Sequence, residues 1–384
     1  MKSKIYLLIA AAGIVAASSC KKLDTSSLGN KSINSLNAKA DTDVYVVGES
    51  SPDNWPVTAA VYWKNGVRTA LTDTTNSIVR VTRATGIAVH DTDVYITGTT
   101  KTDPYEKLTA VYWRNRKMTV LADNAIVGSQ QNIAVSSCGC DVYIVGAAYI
   151  GRELKAVYWK NGVQHVLPSR LRQTVANSIV IRGGNVYIAG YARKNSADLY
   201  GLYWKNDTLH YLTDTLSNYS IAYGIDVKGN DVYISGYSHF VNRELVGGTA
   251  VATYWKNGMP VLLNGATPTI GLTIGLNDPN AVAINNGNIY VTGDISAPAP
   301  ARLDAAYWVN NMINHFPPID NEDGKAASFI AFAGHDVYIS GTSYKRTGNL
   351  YAVAGYWKNG NAFVALPGQW SLGRGIAVVT HPHH

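Results

Sequence analysis

The pair Tyr-Trp, most often followed by Lys-Asn-Gly, recurs along this chain and constrains its fold more than any other feature. Its tryptophans are Trp63, Trp113, Trp159, Trp204, Trp255, Trp308 and Trp357. A second string has Asp or Asn, an aliphatic residue, Tyr and, three residues later, Gly; its tyrosines are Tyr45, Tyr95, Tyr143, Tyr187, Tyr233, Tyr290 and Tyr338. Two markers that alternate at a period of about fifty residues indicate tandem structural units.

The sequence of each unit predicts four short antiparallel strands. In the second unit, β-branched and aromatic runs cover residues 86–89, 93–98, 110–113 and 118–121, with turn residues between them. Between the third and fourth runs most units carry Asn-Gly or a close variant, which suits the positive φ angles of a two-residue hairpin. Some strands are apolar on both faces, which is typical of sheets packed between other sheets.

Seven such units predict an all-β fold, a seven-bladed β-propeller. The first unit lacks a convincing first strand, whereas the C-terminus ends in an unpaired apolar run at 375–379. We therefore expect the C-terminal strand to complete the first blade, which joins the ends of the chain and hides the sheet edges.

The Tyr-Trp-Lys-Asn-Gly hairpin alternates with segments such as Ala-Val-Ala-Ile-Asn-Asn-Gly at 281–287. In this alternation the chain, over about residues 41–379, resembles the bacterial extracellular repeats called HAF repeats. The resemblance implies an extracellular repeat architecture and says almost nothing about activity.

The N-terminus has a basic start, an apolar run over 5–17 and then Ser-Ser-Cys. The run is too short for a membrane-spanning helix and is typical of an export signal. It resembles a bacterial lipoprotein signal over 1–19, which implies a lipidated Cys20, a membrane lipid as partner and a place in the cell envelope, at the outer membrane. An ordinary secretory signal is the alternative. Residues 20–40 are polar and predict a tether, and 41–380 form the propeller.

Residues repeated in every unit are interpreted as structural. We expect the repeat tryptophans and tyrosines to pack between blades. The repeat aspartates, expected to form turns, are Asp43, Asp93, Asp141, Asp231 and Asp336. The net charge is +7, but many of the cations occupy one repeat position and would be spread around a ring. That distribution argues against a nucleic-acid groove, which needs clustered basic residues.

Non-repeat aromatic residues are the better candidates for binding. In a propeller, the connections between strands two and three and those between blades emerge on one side, here called the long-loop face; the other turns emerge on the short-turn face. We assign nine tyrosines and two tryptophans to the long loops: Tyr105, Tyr149, Tyr191, Tyr200, Tyr219, Tyr223, Tyr237, Tyr344, Tyr351, Trp55 and Trp370. Variable loops on a rigid scaffold commonly carry binding function. Alternatively, longer loops simply hold more residues.

A polar ring is predicted at the mouth of the central channel, two residues before the central apolar residue of each inner strand. Its members are Thr85, Gln131, Asn177, Tyr223, Asn280, Ser328 and Arg374. Amides, hydroxyls and a tyrosine offer neutral hydrogen bonds of both signs, which suit a sugar or a peptide backbone; hydration of a water-filled channel is the alternative. The candidate ligand-binding residues are Trp55, Gln131, Asn177, Tyr223, Asn280, Trp370 and Arg374.

No catalytic or metal-binding motif is present, and we predict no cofactor and no metal. The acids of the long loops, among them Glu49 and Asp294, are interpreted as solvated, and Asp294 is the best single candidate for a functional carboxylate. Cys138 and Cys140, two exported thiols in one short turn, suggest a local disulfide, with free thiols as the alternative.

Three functional hypotheses follow. The favoured one is a lipid-anchored, non-enzymatic protein that binds a glycan or a cell-surface protein through its tyrosine-rich face. The second is a polysaccharide lyase or hydrolase with its site at the channel mouth, and the third is a structural scaffold.

Overall fold

The computed structural model describes residues 41–51, 58–71, 81–101, 107–195, 198–212, 219–240, 249–264, 269–270, 279–297, 302–319, 322–347, 349–368 and 370–381. These ranges contain strands and no helix, and hence no helix able to span a membrane. In chain order the strands are β1 Asp41–Ser51, β2 Ala59–Lys64, β3 Val67–Ala70, β4 Val81–His90, β5 Asp93–Lys101, β6 Thr109–Arg114, β7 Lys117–Asp123, β8 Ala125–Val127, β9 Ile133–Val135, β10 Val142–Ile150, β11 Glu153–Lys160, β12 Val163–Val166, β13 Gln173–Arg182, β14 Asn185–Arg193, β15 Leu199–Lys205, β16 Thr208–Tyr211, β17 Ser220–Lys228, β18 Asp231–Phe240, β19 Thr249–Lys256, β20 Met259–Leu262, β21 Thr269–Ile270, β22 Pro279–Asn285, β23 Asn288–Ala297, β24 Arg302–Val309, β25 Met312–His315, β26 Gly324–Ala333, β27 Asp336–Thr347, β28 Asn349–Lys358, β29 Phe363–Ala365 and β30 Trp370–His381.

The strands form seven antiparallel sheets, the blades of the predicted β-propeller. Five blades follow the chain from the inner to the outer strand: β4–β7, β13–β16, β17–β20, β22–β25 and β26–β29, with β21 added beside β19. In the third blade, two short strands, β8 and β9, together take the place of the inner strand, and both pair with β10. The fold class predicted from the sequence is confirmed.

The first blade is closed by the two ends of the propeller. Its inner strand is β30, which pairs with β1 from Asp41 opposite His381 to Ser51 opposite Trp370. The predicted closure is confirmed, and the closing strand extends beyond the apolar run that suggested it. Because β30 pairs with β1, β1 lies between two strands and has no open edge for another chain.

The repeat tryptophans lie between blades, as predicted. Trp113 of the second blade packs against Val47 and Leu71 of the first blade and against Ile87 of its own. All seven repeat tryptophans are at most 1% exposed. Large aromatic side chains at the same place in each blade therefore fill the interfaces between sheets.

The repeat hairpins are held by side chains of the neighbouring strand. Asn65 has a positive φ of 51°, and its amide donates to Asp43 Oδ1 at 2.7 Å. Lys64 Nζ lies 2.8 Å from Asp43 Oδ2 and 5.2 Å from the ring centroid of Tyr45. The same Asn-to-Asp hydrogen bond recurs at Asp93, Asp141, Asp231 and Asp336. We had expected the repeat aspartates to form turns. Instead, each accepts hydrogen bonds from the hairpin that joins the next two strands and so holds that hairpin in place.

The glycine of the second string is required by close backbone approach. A Cβ atom on Gly98 would lie 1.9 Å from the carbonyl oxygen of Arg83 and 2.9 Å from the indole of Trp113. Comparable clashes with an inner-strand carbonyl would arise at Gly48, Gly146, Gly190, Gly236 and Gly341. Glycine recurs here because the inner strand and the tryptophan together leave no room for a side chain.

Candidate functional site

The predicted polar ring coincides with irregularities in the inner strands. Pairing with the second strand shifts register at Thr85, Asn177, Tyr223, Asn280, Ser328 and Arg374. Gln131, the seventh member, lies between β8 and β9. A bulge redirects a side chain out of the regular alternation of its strand. Seven breaks at one level therefore separate the long-loop half of the molecule from the short-turn half.

Two ring amides bridge neighbouring blades. Asn177 Nδ2 donates to the carbonyl of Ala222 at 2.8 Å, and Asn280 Nδ2 donates to that of Ala327 at 2.6 Å. The Nδ2 groups of Asn177 and Asn280, which we expected to donate to a ligand, therefore already donate to the protein backbone. Each amide also has an oxygen, and Asn280 Oδ1 accepts a contact of 3.4 Å from Gln130.

The Gln130 contact crosses the centre of the ring, from the third blade to the sixth. On the short-turn side of this contact lies a cavity of about 320 Å³, lined by the inner strands and reaching His90 and Arg182. Gln130 Oε1 is buried and has no hydrogen-bond partner among the described residues. The amide of Gln130 therefore narrows the channel at the level of the ring.

A buried carboxylate connects the inner strands below the ring. Asp226 Oδ1 accepts from Arg182 Nη2 at 3.0 Å, and its Oδ2 accepts from the backbone amide of Ile284 at 2.8 Å. Burial raises the pKa of Asp226, against the opposing effects of Arg182 and the backbone donors. Its contacts to both neighbouring blades give Asp226 a structural role.

On the long-loop side of the ring, Glu49 lies between two arginines. Its side chain is 2% exposed; Arg374 Nη2 is 2.6 Å from Oε1, and Arg83 Nε is 3.2 Å from Oε2. We had interpreted Glu49 as solvated, and that interpretation is wrong because the closing strand brings Arg374 against it. Arg374, the single cation of the ring, is therefore held by a buried carboxylate.

A second buried acid and a tyrosine lie near this group. Asp294 is 8% exposed, and its Oδ1 accepts from the backbone amide of Ala327 at 2.8 Å. Burial and the charges of Asp294 and Glu49 raise the pKa of Tyr344, although Arg374 opposes them. The expectation of a solvated carboxylate is wrong for Asp294 too. Glu49, Asp294, Arg374 and Tyr344 are called the mouth cluster below.

Lys325 is a further buried charge on this side of the ring. Its side chain is 6% exposed, and its Nζ lies 2.8 Å from both Asp304 Oδ1 and Glu322 Oε1. Burial favours the neutral amine, but the hydrogen bonds that Lys325 donates to the two carboxylates raise its pKa. Such an arrangement keeps the lysine charged at neutral pH.

Four non-repeat tyrosines pack together on the long-loop side of the fourth and fifth blades. They are Tyr191, Tyr219, Tyr223 and Tyr237, here called the tyrosine cluster. The Tyr219 and Tyr237 rings stack with centroids 6.0 Å apart, and the Tyr223 ring is tilted at 5.9 Å from that of Tyr237. Tyr237 is buried and the other three are half-buried, so part of each of these three residues is accessible beside the polar ring.

The long-loop tyrosines mostly lie in strands, not in loops. Those found in strands are Tyr149, Tyr191, Tyr200, Tyr223, Tyr237, Tyr344 and Tyr351. Our loop assignment was wrong because strand pairing continues past the repeat glycine, as far as Thr347 in β27. The side chains are consequently positioned by backbone ladders, which are more rigid supports than loops.

The remaining candidates are placed as follows. Trp370 begins β30, is half-buried and lies opposite Ser51. The side chain of Gln131 is exposed, and its carbonyl accepts from the Ile179 amide at 2.8 Å. Trp55, Tyr105 and Cys20 lie outside the described residues. No three His, Cys, Asp or Glu side chains in the described ranges are grouped so that they could hold a metal ion.

No protein-family model matches the chain, and no curated protein matches it. A puromycin-hydrolyzing peptidase of Mycobacterium tuberculosis superposes with a TM-score of 0.50 at 11% identity, over 85% of this chain and 51% of that one. This chain thus spans about half the length of that peptidase. An ulvan lyase matches with a TM-score of 0.42 at 10% identity, over 73% of this chain and 81% of that one. TolB from Acinetobacter baumannii matches with a TM-score of 0.42 at 12% identity, over 87% of this chain and 82% of that one. At such identities the likeness concerns the fold alone.

Proposed function

We propose that this chain is a lipid-anchored binding protein of the cell envelope, without enzymatic activity, that binds a glycan through its long-loop face. Acylation of Cys20 would tether it to the outer membrane. The observation that carries the proposal is the tyrosine cluster beside the polar ring, because half-buried rings held on strands offer rigid, flat contact area at small entropic cost.

The neighbouring groups suit a sugar. The C–H faces of a pyranose can lie against the exposed parts of Tyr219 and Tyr223, while its hydroxyls meet the amides of the polar ring. Tyr223 belongs to both sets, since it occupies a ring position and packs in the cluster. A ligand seated there would extend toward Asn177 and Asn280.

Glycan-array binding of the full-length protein tests the proposal. We expect a positive signal that Tyr223→Ala weakens at least tenfold, whereas Tyr211→Ala, a change at an exposed tyrosine on the outer strand β16, leaves it unchanged. Trp55→Ala and Trp370→Ala test the two tryptophan candidates. An equal loss in the Tyr211 variant, or no signal on any glycan, would contradict glycan binding. A protein captured from envelope extracts only by the wild type would indicate the protein ligand, and empty screens would favour a scaffold.

The anchor requires its own test. In a bacterial host that acylates lipoproteins, the wild type should incorporate a labelled fatty acid and sediment with membranes, and Cys20→Ser should do neither. Recovery of unlabelled wild type in the soluble fraction would contradict the anchor and support an ordinary secretory signal.

The mouth cluster favours a second candidate function, cleavage of an acidic polysaccharide. Its two carboxylates and Tyr344 could donate or accept protons, and Arg374 could face a uronate carboxylate. Incubation with polyuronates, followed by assays for unsaturated products and new reducing ends, tests it. Activity lost in Tyr344→Phe with unchanged thermal stability would support catalysis, and absence of product from the wild type would rule against it.

A further inference from the structure

The turn between β9 and β10 carries an exposed disulfide on the short-turn face, on the opposite side of the molecule from the glycan site proposed above. Cys138 and Cys140 are bonded to each other with only Gly139 between them. Both cysteines are exposed. This confirms the predicted local pairing and presents both sulfur atoms to solvent.

Backbone hydrogen bonds hold this turn in addition to the disulfide. The backbone amide of Ser136 donates to the carbonyl of Asp141 at 2.8 Å, and the amide of Gly139 donates to the carbonyl of Ser136, also at 2.8 Å. Pairing of β9 with β10 continues this ladder into the blade. The stabilisation that a disulfide provides increases with the length of the loop that it closes, and this loop is near the minimum. Reduction should therefore leave the two thiols close together on an intact hairpin.

Two neighbouring groups contact the turn that carries the sulfurs. Ser136 Oγ lies 3.2 Å from Cys138 Sγ and 3.6 Å from Cys140 Sγ. Because this oxygen already accepts from the Asp141 amide at 2.9 Å, its own hydrogen can point to either sulfur. A hydrogen-bond donor beside a sulfur stabilises the thiolate relative to the thiol.

The second group is His90, from the neighbouring turn of the second blade. Its ring packs so closely on Gly139 that an added Cβ atom would lie 2.8 Å from ring atoms. Nε2 lies 3.1 Å from the carbonyl oxygen of Ser137, and Nδ1 lies 3.2 Å from Asp91 Oδ2. Both ring nitrogens thus face acceptors, and the ring supports the cysteine turn from the neighbouring blade.

We propose that Cys138 and Cys140 form a thiol–disulfide exchange site that accepts electrons from protein or small-molecule dithiols. A substrate thiolate attacks one sulfur, the Cys138–Cys140 bond breaks, and its electron pair leaves on the other sulfur as a thiolate. The second substrate thiolate then attacks the substrate sulfur of this mixed disulfide and releases the second protein thiolate. The substrate dithiol is oxidised to a disulfide, and the protein disulfide is reduced to two thiols. A low-molecular-weight disulfide can reoxidise the pair.

The full-length protein is incubated with dihydrolipoamide, and the remaining thiols are alkylated and counted by mass spectrometry. We expect the wild type to gain two alkylatable thiols, with Cys20 subtracted by means of a Cys138→Ser/Cys140→Ser control. Oxidised glutathione should restore the disulfide. With oxidised glutathione, Cys140→Ser should accumulate a mixed disulfide at Cys138.

Ser136→Ala should slow exchange severalfold, whereas Ser137→Ala, a change at an exposed serine whose carbonyl rather than side chain contacts His90, should not. Circular dichroism of the reduced protein distinguishes exchange from a structural role. A reduced protein that keeps its β signal and melting temperature supports the proposal. Failure of dihydrolipoamide to reduce the pair, or unfolding that accompanies its reduction, would overturn it. These outcomes are independent of glycan binding, because the site lies on the opposite face.

Discussion

The two halves of the propeller use polar residues in different ways. On the short-turn side, an aspartate, a cation and an asparagine make the same contacts in five blades, as at Asp43, Lys64 and Asn65. On the long-loop side, the contacts of Glu49 and Lys325 each occur once. A contact that every blade needs is explained by the repeat. A contact that occurs once requires another explanation, and on the long-loop side such contacts lie beside the channel mouth.

Burial separates the two sets as well. The repeat cation Lys64 is about half exposed, whereas the side chains of Glu49 and Lys325 are nearly inaccessible. Exposed ion pairs contribute little to stability. Burying a charge has a large desolvation penalty, and pairing it with an opposite charge often does no more than offset that penalty. Buried ion pairs are therefore poorly explained by stability alone. This favours a functional origin for the charges beside the channel mouth.

The largest expected effect tests the repeat interpretation. Trp113→Ala should lower the free energy of unfolding by about 4 kcal/mol, because it opens a cavity between two blades. Trp370→Ala, outside the repeat, should cost about 1 kcal/mol. Urea unfolding monitored by circular dichroism measures both. Equal losses would break the distinction between repeat and non-repeat aromatics.

The second prediction concerns a charge that occurs once. Lys325→Ala should destabilise the protein by roughly 3 kcal/mol, because Asp304 and Glu322 lose the cation that compensates them. Lys256→Ala, the matched change at an exposed repeat lysine, should have a much smaller effect in the same urea assay. Similar urea midpoints for the two variants would show that burial does not distinguish the single contacts from the repeated ones.

Asp226 is the exception in the short-turn half, because it is a buried acid whose contacts no other blade repeats. Asp226→Ala should cost about 2 kcal/mol, because the amide of Ile284 loses its acceptor. Burial raises the pKa of Asp226 in the folded state above its ordinary value. Its contribution is therefore full at low pH and declines as pH rises through the folded pKa. The urea midpoint of Asp226→Ala should lie below that of the wild type, and the difference should shrink as pH rises from acidic to neutral. A difference that grows with pH would contradict the raised pKa of Asp226.

The smallest effect concerns the repeated ion pairs. Burial alone would raise the pKa of Asp43, but hydrogen bonds from Lys64, Asn65 and His381 lower it from 3.8 to about 2. Its stabilisation is present above the unfolded pKa and is lost as pH falls through about 2. Asp43→Asn should therefore flatten the acid limb of a stability profile measured by urea unfolding. Asn288→Ala, at the neutral counterpart in the sixth blade, should leave that limb unchanged.

The fold could be predicted in detail from the sequence, because its signals are local and repeated. Asn-Gly pairs marked the hairpins, and the missing first strand together with an unpaired C-terminal run indicated how the ring closes. The candidate site was predicted only in part. The ring positions followed from the repeat, but Glu49 and Asp294 are single acids in variable segments, and no local pattern distinguishes a buried acid from a solvated one.

The contacts that define the candidate site therefore depend on the assembled ring. Arg374 and Glu49 are separated by 325 residues and meet because β30 pairs with β1. The repeat specifies blade number, strand order and the packing of the tryptophans, since each of these depends on short segments of like sequence. Which charges become buried, and which amides bridge neighbouring blades, depends on how seven twisted sheets approach one another at the bulges. That approach is a property of the closed propeller and not of any single unit.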